Sequence, residues 1–224
     1  MAQILCIDTS TAVLSVALAR DGAVVCERVC TEARRQASLT APLVKEVLSD
    51  AGLSVKDCDA VCVGAGPGSY TGLRVGVSTA KGLAFGAGLP LLSVCTLDIL
   101  AATAPQGYRY IIPMIDARRM EVYTAVYSSV AERLTPVQAL VVEENSFADR
   151  LAEGDVLFIG DGASKCQAVL RHPNAHFMEA APLASQMAPL AEKAFREGRF
   201  ENLAYFEPFY LKDFVATVSQ KRLW

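Results

Sequence analysis

The run Val61-Cys62-Val63-Gly64-Ala65-Gly66-Pro67-Gly68-Ser69-Tyr70-Thr71-Gly72-Leu73-Arg74-Val75-Gly76 constrains this chain more than any other stretch. An apolar, β-branched strand enters a glycine-dense turn, and a helix opens at Ser69 or Thr71. Glycine permits backbone conformations and close approaches that a Cβ would block. A helix N-terminus leaves N–H groups unpaired, which suits an anion. The pattern therefore fits either a phosphate-holding loop or a tight strand-to-helix connection that binds nothing. Neither common phosphate fingerprint is present. There is no G-x-x-x-x-G-K-[ST], and the strict G-x-G-x-x-G spacing puts Ser69 or Thr71 where the last glycine belongs.

Charge and composition exclude several classes. The 224 residues are 52% hydrophobic and 20% charged, an ordinary globular balance with room for two small domains or one large one. Net charge is −3, and basic residues come in short groups, Arg34-Arg35, Arg118-Arg119 and Lys221-Arg222. Tight nucleic-acid binding by the chain alone is therefore not expected. The start Met1-Ala2-Gln3-Ile4 lacks a charged-then-apolar leader, and no apolar run approaches the roughly 20 residues of a membrane span. The seven cysteines show no C-x-x-C and sit mostly among Val, Ile and Leu, so they read as reduced core thiols rather than a zinc site. The expectation is a cytoplasmic protein with no membrane contact.

Periodicity predicts strands over Gln3–Asp8, Val13–Ala19 and Ala23–Cys30, the last two joined by Arg20-Asp21-Gly22. A helix over Ser38–Ala51 follows, with Leu39, Leu43, Val47 and Leu48 on one stripe and Pro42 in its first turn. Next come a strand Ala60–Gly64, the glycine loop, a helix Thr71–Gly86, a strand Leu89–Val94 and a helix Leu97–Ala104 capped by Thr96. Ala104-Pro105-Gln106-Gly107 marks a boundary, after which a similar order begins again. Tyr110–Asp116 and Glu121–Tyr127 pair, Gln138–Val142 is a third strand, and a helix near Ser146–Leu151 precedes a strand Val156–Gly160 and another helix. Ile7-Asp8 is echoed by Ile115-Asp116, and Val63-Gly64 by Ile159-Gly160. Two βββαβα-type domains, 1–104 and 105–224, with a cleft between them account for this order, the C-terminal segment being free to return to the first domain. No ligand pair is read from His172 and His176, because Pro173 and Asn174 break the helix that would align them, and a solvated loop is expected.

Taken together, Ile4-Leu5-Cys6-Ile7-Asp8-Thr9-Ser10-Thr11, the Gly66–Gly76 loop, Ile115-Asp116-Ala117-Arg118-Arg119, Gly160-Asp161-Gly162-Ala163 and Pro208-Phe209-Tyr210-Leu211-Lys212 resemble the TsaB (YeaZ) family. The likeness covers essentially the whole chain. It implies the duplicated α/β fold of the actin, Hsp70 and sugar-kinase group. It also implies a non-catalytic subunit of the machinery that makes N6-threonylcarbamoyladenosine next to the anticodon of tRNAs reading A-starting codons. Such a subunit pairs with a TsaD-like catalytic subunit, is joined by a TsaE-like ATPase, forms a homodimer when alone, and meets tRNA only through the complex.

In the wider fold group the turn after the first strand holds phosphates and positions a metal. Here that place is Asp8, Thr9, Ser10 and Thr11, and the resemblance groups Gly66, Gly68 and Ser69 of the glycine loop with it. Hydroxyls and a carboxylate suit a hard cation, yet they also satisfy turn backbone, and the resemblance favours a vestigial site. ATP and metal are expected to belong to the partner subunits, with neither cofactor nor metal on this chain. The catalytic relative's His-x-x-x-His has no counterpart in Val94–Leu100, and Gln36 stands where several family members carry histidine. Gly72, Gly76 and Ala80 fall four apart on the second helix, beside Leu73 and Val77. The resemblance assigns the partner contact to this helix and to the first, around Leu39, Leu43 and Val47. The alternatives from other classes are an ATP-dependent small-molecule kinase using Asp8, and an assembly module unrelated to tRNA.

Overall fold

The computed structural model describes residues 2–32 and 34–212, so Val218–Trp224, left without an assigned role above, lies outside the described residues. The strands are β1 (Gln3–Asp8), β2 (Leu14–Arg20), β3 (Ala23–Cys30), β4 (Ala60–Gly66) and β5 (Leu91–Cys95) in the first half. In the second they are β6 (Tyr110–Asp116), β7 (Glu121–Thr124), β8 (Tyr127–Ser128), β9 (Gln138–Val141), β10 (Val156–Ile159) and β11 (Ala175–Met178). The sheets run β3-β2-β1-β4-β5 and β9-β7-β6-β10-β11, the short β8 adding to β6. Each is therefore an antiparallel three-stranded meander extended by two parallel strands in one order. The repeat expected from Ile7-Asp8 and Ile115-Asp116 is a true duplication of topology.

Helices α1 (Gln36–Asp50) and α2 (Tyr70–Ala87) cover one face of the first sheet, and Leu5, Val16, Val47, Val61, Val77 and Ala84 meet in that core. In the second half α4 (Ala148–Glu153) and α5 (Ala163–Cys166) take the corresponding places around Ile112, Val156 and Phe158. The helix after each final strand crosses over. Leu97, Leu100 and Ala101 of α3 (Thr96–Ala102) pack on Ile111, Ile115 and Ile159 of the second sheet. Ala184, Met187, Ala191 and Ala194 of α6 (Ala184–Arg196) pack on Ile4, Cys6, Ala17 and Leu92 of the first. The first-turn amides of α6 are met by side chains of that sheet: Ala184 N donates to Ser15 Oγ at 2.7 Å and Ser185 N to Glu27 Oε1 at 2.9 Å.

Several local expectations change. Helix α1 starts at Gln36, so Pro42 stands in its interior, on an exposed face, rather than in the first turn. Thr96 does not cap α3. It is the first helical residue after an extended Cys95, and its buried hydroxyl finds no hydrogen-bond partner among the described residues. The expected strand Glu121–Tyr127 is split into β7 and β8, each pairing with β6 at a different end. His176 is a strand residue of β11, with its Nε2 2.8 Å from Asp155 Oδ1 and its ring centroid 5.3 Å from that of Tyr108. All seven cysteines are free, and Cys6 and Cys62 stand side by side on neighbouring parallel strands. Among the described residues no helix is long and apolar enough to cross a membrane.

Candidate functional site

Strands β1 and β6 end in equivalent turns that face one another across a cleft of about 480 Å³. The first domain contributes Ser10, Thr11, Ala12 and Pro67 to Thr71, and the second Ile115 to Arg118, Tyr123 and Asp161. Residues Phe209 to Lys212 complete the wall.

The first turn is closed on itself. Asp8 is fully buried, accepting from Ser10 N at 3.1 Å and from Ser10 Oγ at 2.9 Å and 3.1 Å. Burial pushes its carboxyl up to about 7, against the opposing pull of the Ser10 hydrogen bonds. The neighbouring strand makes room for it, since a Cβ on Gly64 would overlap Asp8 Oδ2. Thr9 donates its hydroxyl to Gly72 O at 2.7 Å and fills the space in front of Gly72 and Gly76, where any Cβ would strike it. Ser69 N donates to Ser10 O at 2.7 Å, and a Cβ on Gly68 would overlap the same oxygen. Ser69 Oγ caps α2 by accepting from Gly72 N at 3.3 Å. The glycines are thus close-approach residues that seat the loop on the Asp8 turn. Gln36 braces the turn from outside, its Nε2 donating to Thr11 O and Ala12 O, each at 3.1 Å.

These residues do not fit a metal-bound nucleotide. The Asp8 carboxylate is walled off by Ser10 and Gly64 and does not line the cleft. Among the described residues no group of three His, Cys, Asp or Glu side chains is placed to hold a metal ion.

The second turn is open. The Asp116 carboxylate accepts from Arg118 N at 2.8 Å and from Lys165 Nζ at 2.5 Å. Lys165 also donates to Arg119 O at 2.8 Å and Glu121 O at 2.7 Å. Asp161 Oδ1 accepts from Asp116 N at 2.9 Å, and burial, aided by the Asp116 charge, raises the Asp161 carboxyl above its usual range. Arg118 and Arg119 take φ of 73° and 49°, left-handed values rare for non-glycine residues.

The third wall is the C-terminal return to the first domain that the sequence allowed, along a path it did not specify. After α6 the chain runs back along the first sheet, Glu201 bridging Leu91 at the β5 edge and accepting from Ser93 Oγ at 2.6 Å. Lys81 of α2 donates to Phe206 O at 2.9 Å, and Phe209 N donates to Ala65 O at 2.8 Å. Tyr210 then packs on Tyr70 with centroids 4.8 Å apart, and Lys212 pairs with Glu121 of the second domain. The Pro208–Lys212 motif was the available signal for this wall.

The residues assigned to a partner contact fall mostly inside the monomer. Val47, Leu73, Val77 and Ala80 are at most 4% exposed, and Leu39 and Leu43 pack half-buried on the first core. Gly72 and Gly76 face Thr9. Helices α1 and α2 do lie side by side, but the outward face of α2 is Val75, Ser78, Thr79, Gly82 and Gly86, next to Phe85, which is 81% exposed. Gly72 and Gly76 are taken up by the close approach to the Asp8 turn and Ala80 by the first core, which removes the stripe from the surface.

The family model described as TsaD: tRNA N6-adenosine threonylcarbamoyltransferase matches residues 19–220. The tRNA threonylcarbamoyladenosine biosynthesis protein TsaB of Escherichia coli is 34% identical over 228 residues, 96% of each chain. A Pseudomonas aeruginosa crystal structure, described as similar to peptidase YEAZ, superposes with TM-score 0.85 at 30% identity, over 95% of this chain and all of that one. The ADPNP-bound activator of a Clostridium difficile 2-hydroxyisocaproyl-CoA dehydratase shares the duplicated fold alone, with TM-score 0.52 at 10% identity over 88% of this chain and 97% of its own. From the Asp8 and Asp116 turns, the helix exchange and these likenesses, the chain belongs to the TsaB (YeaZ) family, with a duplicated α/β fold.

Proposed function

We propose that this chain is a non-catalytic subunit of the machinery that forms N6-threonylcarbamoyladenosine on tRNA, where it binds and supports a TsaD-like catalytic subunit that a TsaE-like ATPase joins. The observation that carries this reading is the closed Asp8 turn: the carboxylate that would position a metal is buried, bonded to Ser10 and sealed by the glycine loop. What remains available is surface. The outward face of α2 carries Val75, Gly82 and the exposed Phe85, and a Cβ added at Gly82 or Gly86 meets nothing within 4 Å. A helix with such small residues lets another helix approach closely.

Mass spectrometry of tRNA nucleosides after depletion of the chain tests the pathway. Loss of threonylcarbamoyladenosine, restored by re-expression, is expected; an unchanged level defeats the reading. Gly82→Arg tests the partner face separately. It fills open space, so thermal stability is retained, while co-elution with the TsaD-like subunit is lost. Retained co-elution moves the interface elsewhere.

A further inference from the structure

Four arginines around the mouth of the interdomain cleft, Arg34, Arg74, Arg118 and Arg119, make no ion pair with a carboxylate among the described residues, although the chain as a whole is acidic. The other cations nearby are spent: Arg35 on Glu32, Lys165 on Asp116 and Lys212 on Glu121. Three of them are neighbours through shared walls, and Arg119 follows Arg118 in the chain. Ser69 and Thr71 line both the cleft, which Arg118 also lines, and an adjoining hollow of about 550 Å³, which Arg34 lines. Arg74 lies 4.5 Å from the ring of Tyr70, itself a cleft residue. Three of them hold left-handed backbone, Arg34 at φ 65°, Arg118 at 73° and Arg119 at 49°. Glycine would adopt these angles without cost, whereas an arginine there keeps its charge at the expense of strain.

We infer that this arginine rim is a contact surface for RNA phosphates, with the cleft aromatics offering a face to an unstacked base. Guanidinium favours phosphate through paired N–H donors and also stacks on planar rings. Phe209, 43% exposed, stands in the same wall as the Tyr70–Tyr210 pair. An acidic protein face would use the arginines but has no need of exposed rings inside a concavity. The counter-charges are few: Asp116 lines the cleft half-exposed but is paired with Lys165, Asp161 is half-buried and bonded to Asp116 N, and Glu207 is exposed on the segment that leads to Phe209. Because the overall charge is −3, the attraction is local, so binding by the chain alone is weak and steeply salt-dependent. This inference rests on the proposed role in tRNA modification and names the surface through which the chain touches that substrate.

The test is fluorescence anisotropy of the full chain with a labelled, unmodified tRNA anticodon stem-loop over a salt series. Four phosphate contacts give a slope of log K against log salt of about −3, and each of Arg34→Gln, Arg74→Gln and Arg118→Gln removes about 0.7 of it. Lysine at the same positions restores the slope, which a merely structural role would not do; circular dichroism confirms that each variant is folded. An absence of binding at the lowest salt, equal slopes in wild type and the triple variant, or preference for an acidic peptide over RNA overturns the inference. The slope decides it whichever way the depletion experiment turns out. A triple variant that restores the modified nucleoside with an unchanged slope refutes the surface and leaves the proposed function standing.

Discussion

The two halves of this molecule repeat one topology but treat its reaction turn in opposite ways. At the end of β1, Asp8 is wholly buried, whereas at the end of β6 the Asp116 side chain is 47% exposed. The first turn is closed by backbone: the glycine loop sits on Ser10 O and Thr9 O so tightly that Gly68 and Gly72 have no space for a methyl group. The second is held by a side chain, Lys165, which ties Asp116 to the carbonyls of Arg119 and Glu121 and leaves the arginines facing outward. Duplication thus preserves the frame while the turns diverge. Dense packing at one makes it rigid and inaccessible; ion pairing at the other leaves it reachable by a ligand.

The largest effect that would break this contrast is electrostatic. The folded chain keeps a proton on Asp8 up to about pH 7, while the unfolded chain releases it near 3.8. The folded state therefore binds the extra proton in that window, and this group's contribution to stability falls as pH rises through it. The gap corresponds to roughly 4 kcal/mol. Asp8→Asn should flatten this part of the profile, so that urea unfolding shows the variant gaining on the wild type from about pH 4 to about pH 7. Parallel profiles would mean that Asp8 is solvated. Next in size, Gly68→Ala should cost about 3 kcal/mol, because its Cβ must displace the Ser10 carbonyl. Gly162→Ala in the second domain meets its neighbours only at 3.0 Å and 3.1 Å, so it should cost clearly less. Equal losses in chemical denaturation would erase the asymmetry. Smaller still, Lys165→Met should cost about 2 kcal/mol by releasing the Asp116 turn, with the loss shrinking as salt is added. A salt-independent loss would assign Lys165 to packing through its stem.

Much of this was legible in the residues. The apolar β-branched runs at Ile4–Ile7 and Val61–Val63 gave the central strands, because strands buried on both faces read as continuous hydrophobic stretches. The glycine loop was legible as a site of close approach, though not what approaches: Gly72 and Gly76 serve Thr9 of the same chain, and periodicity alone reads such a stripe as a possible partner face. Helix α6 went unread because its buried side is mostly alanine, with Pro189 inside it, so its overall hydropathy is low even though its two faces differ sharply. A C-terminal return to the first domain was an expectation, but the path of Glu201 to Lys212 was hidden, since its anchors are backbone groups meeting Leu91, Lys81 and Ala65 from far along the chain. Long-range pairing of that kind leaves no local pattern.

Titration calorimetry of the pure chain with ATP and magnesium tests the closed Asp8 turn most directly, run side by side with Asp8→Ala. The account predicts no saturable heat from either protein. Tight binding by the wild type that disappears in Asp8→Ala would contradict it.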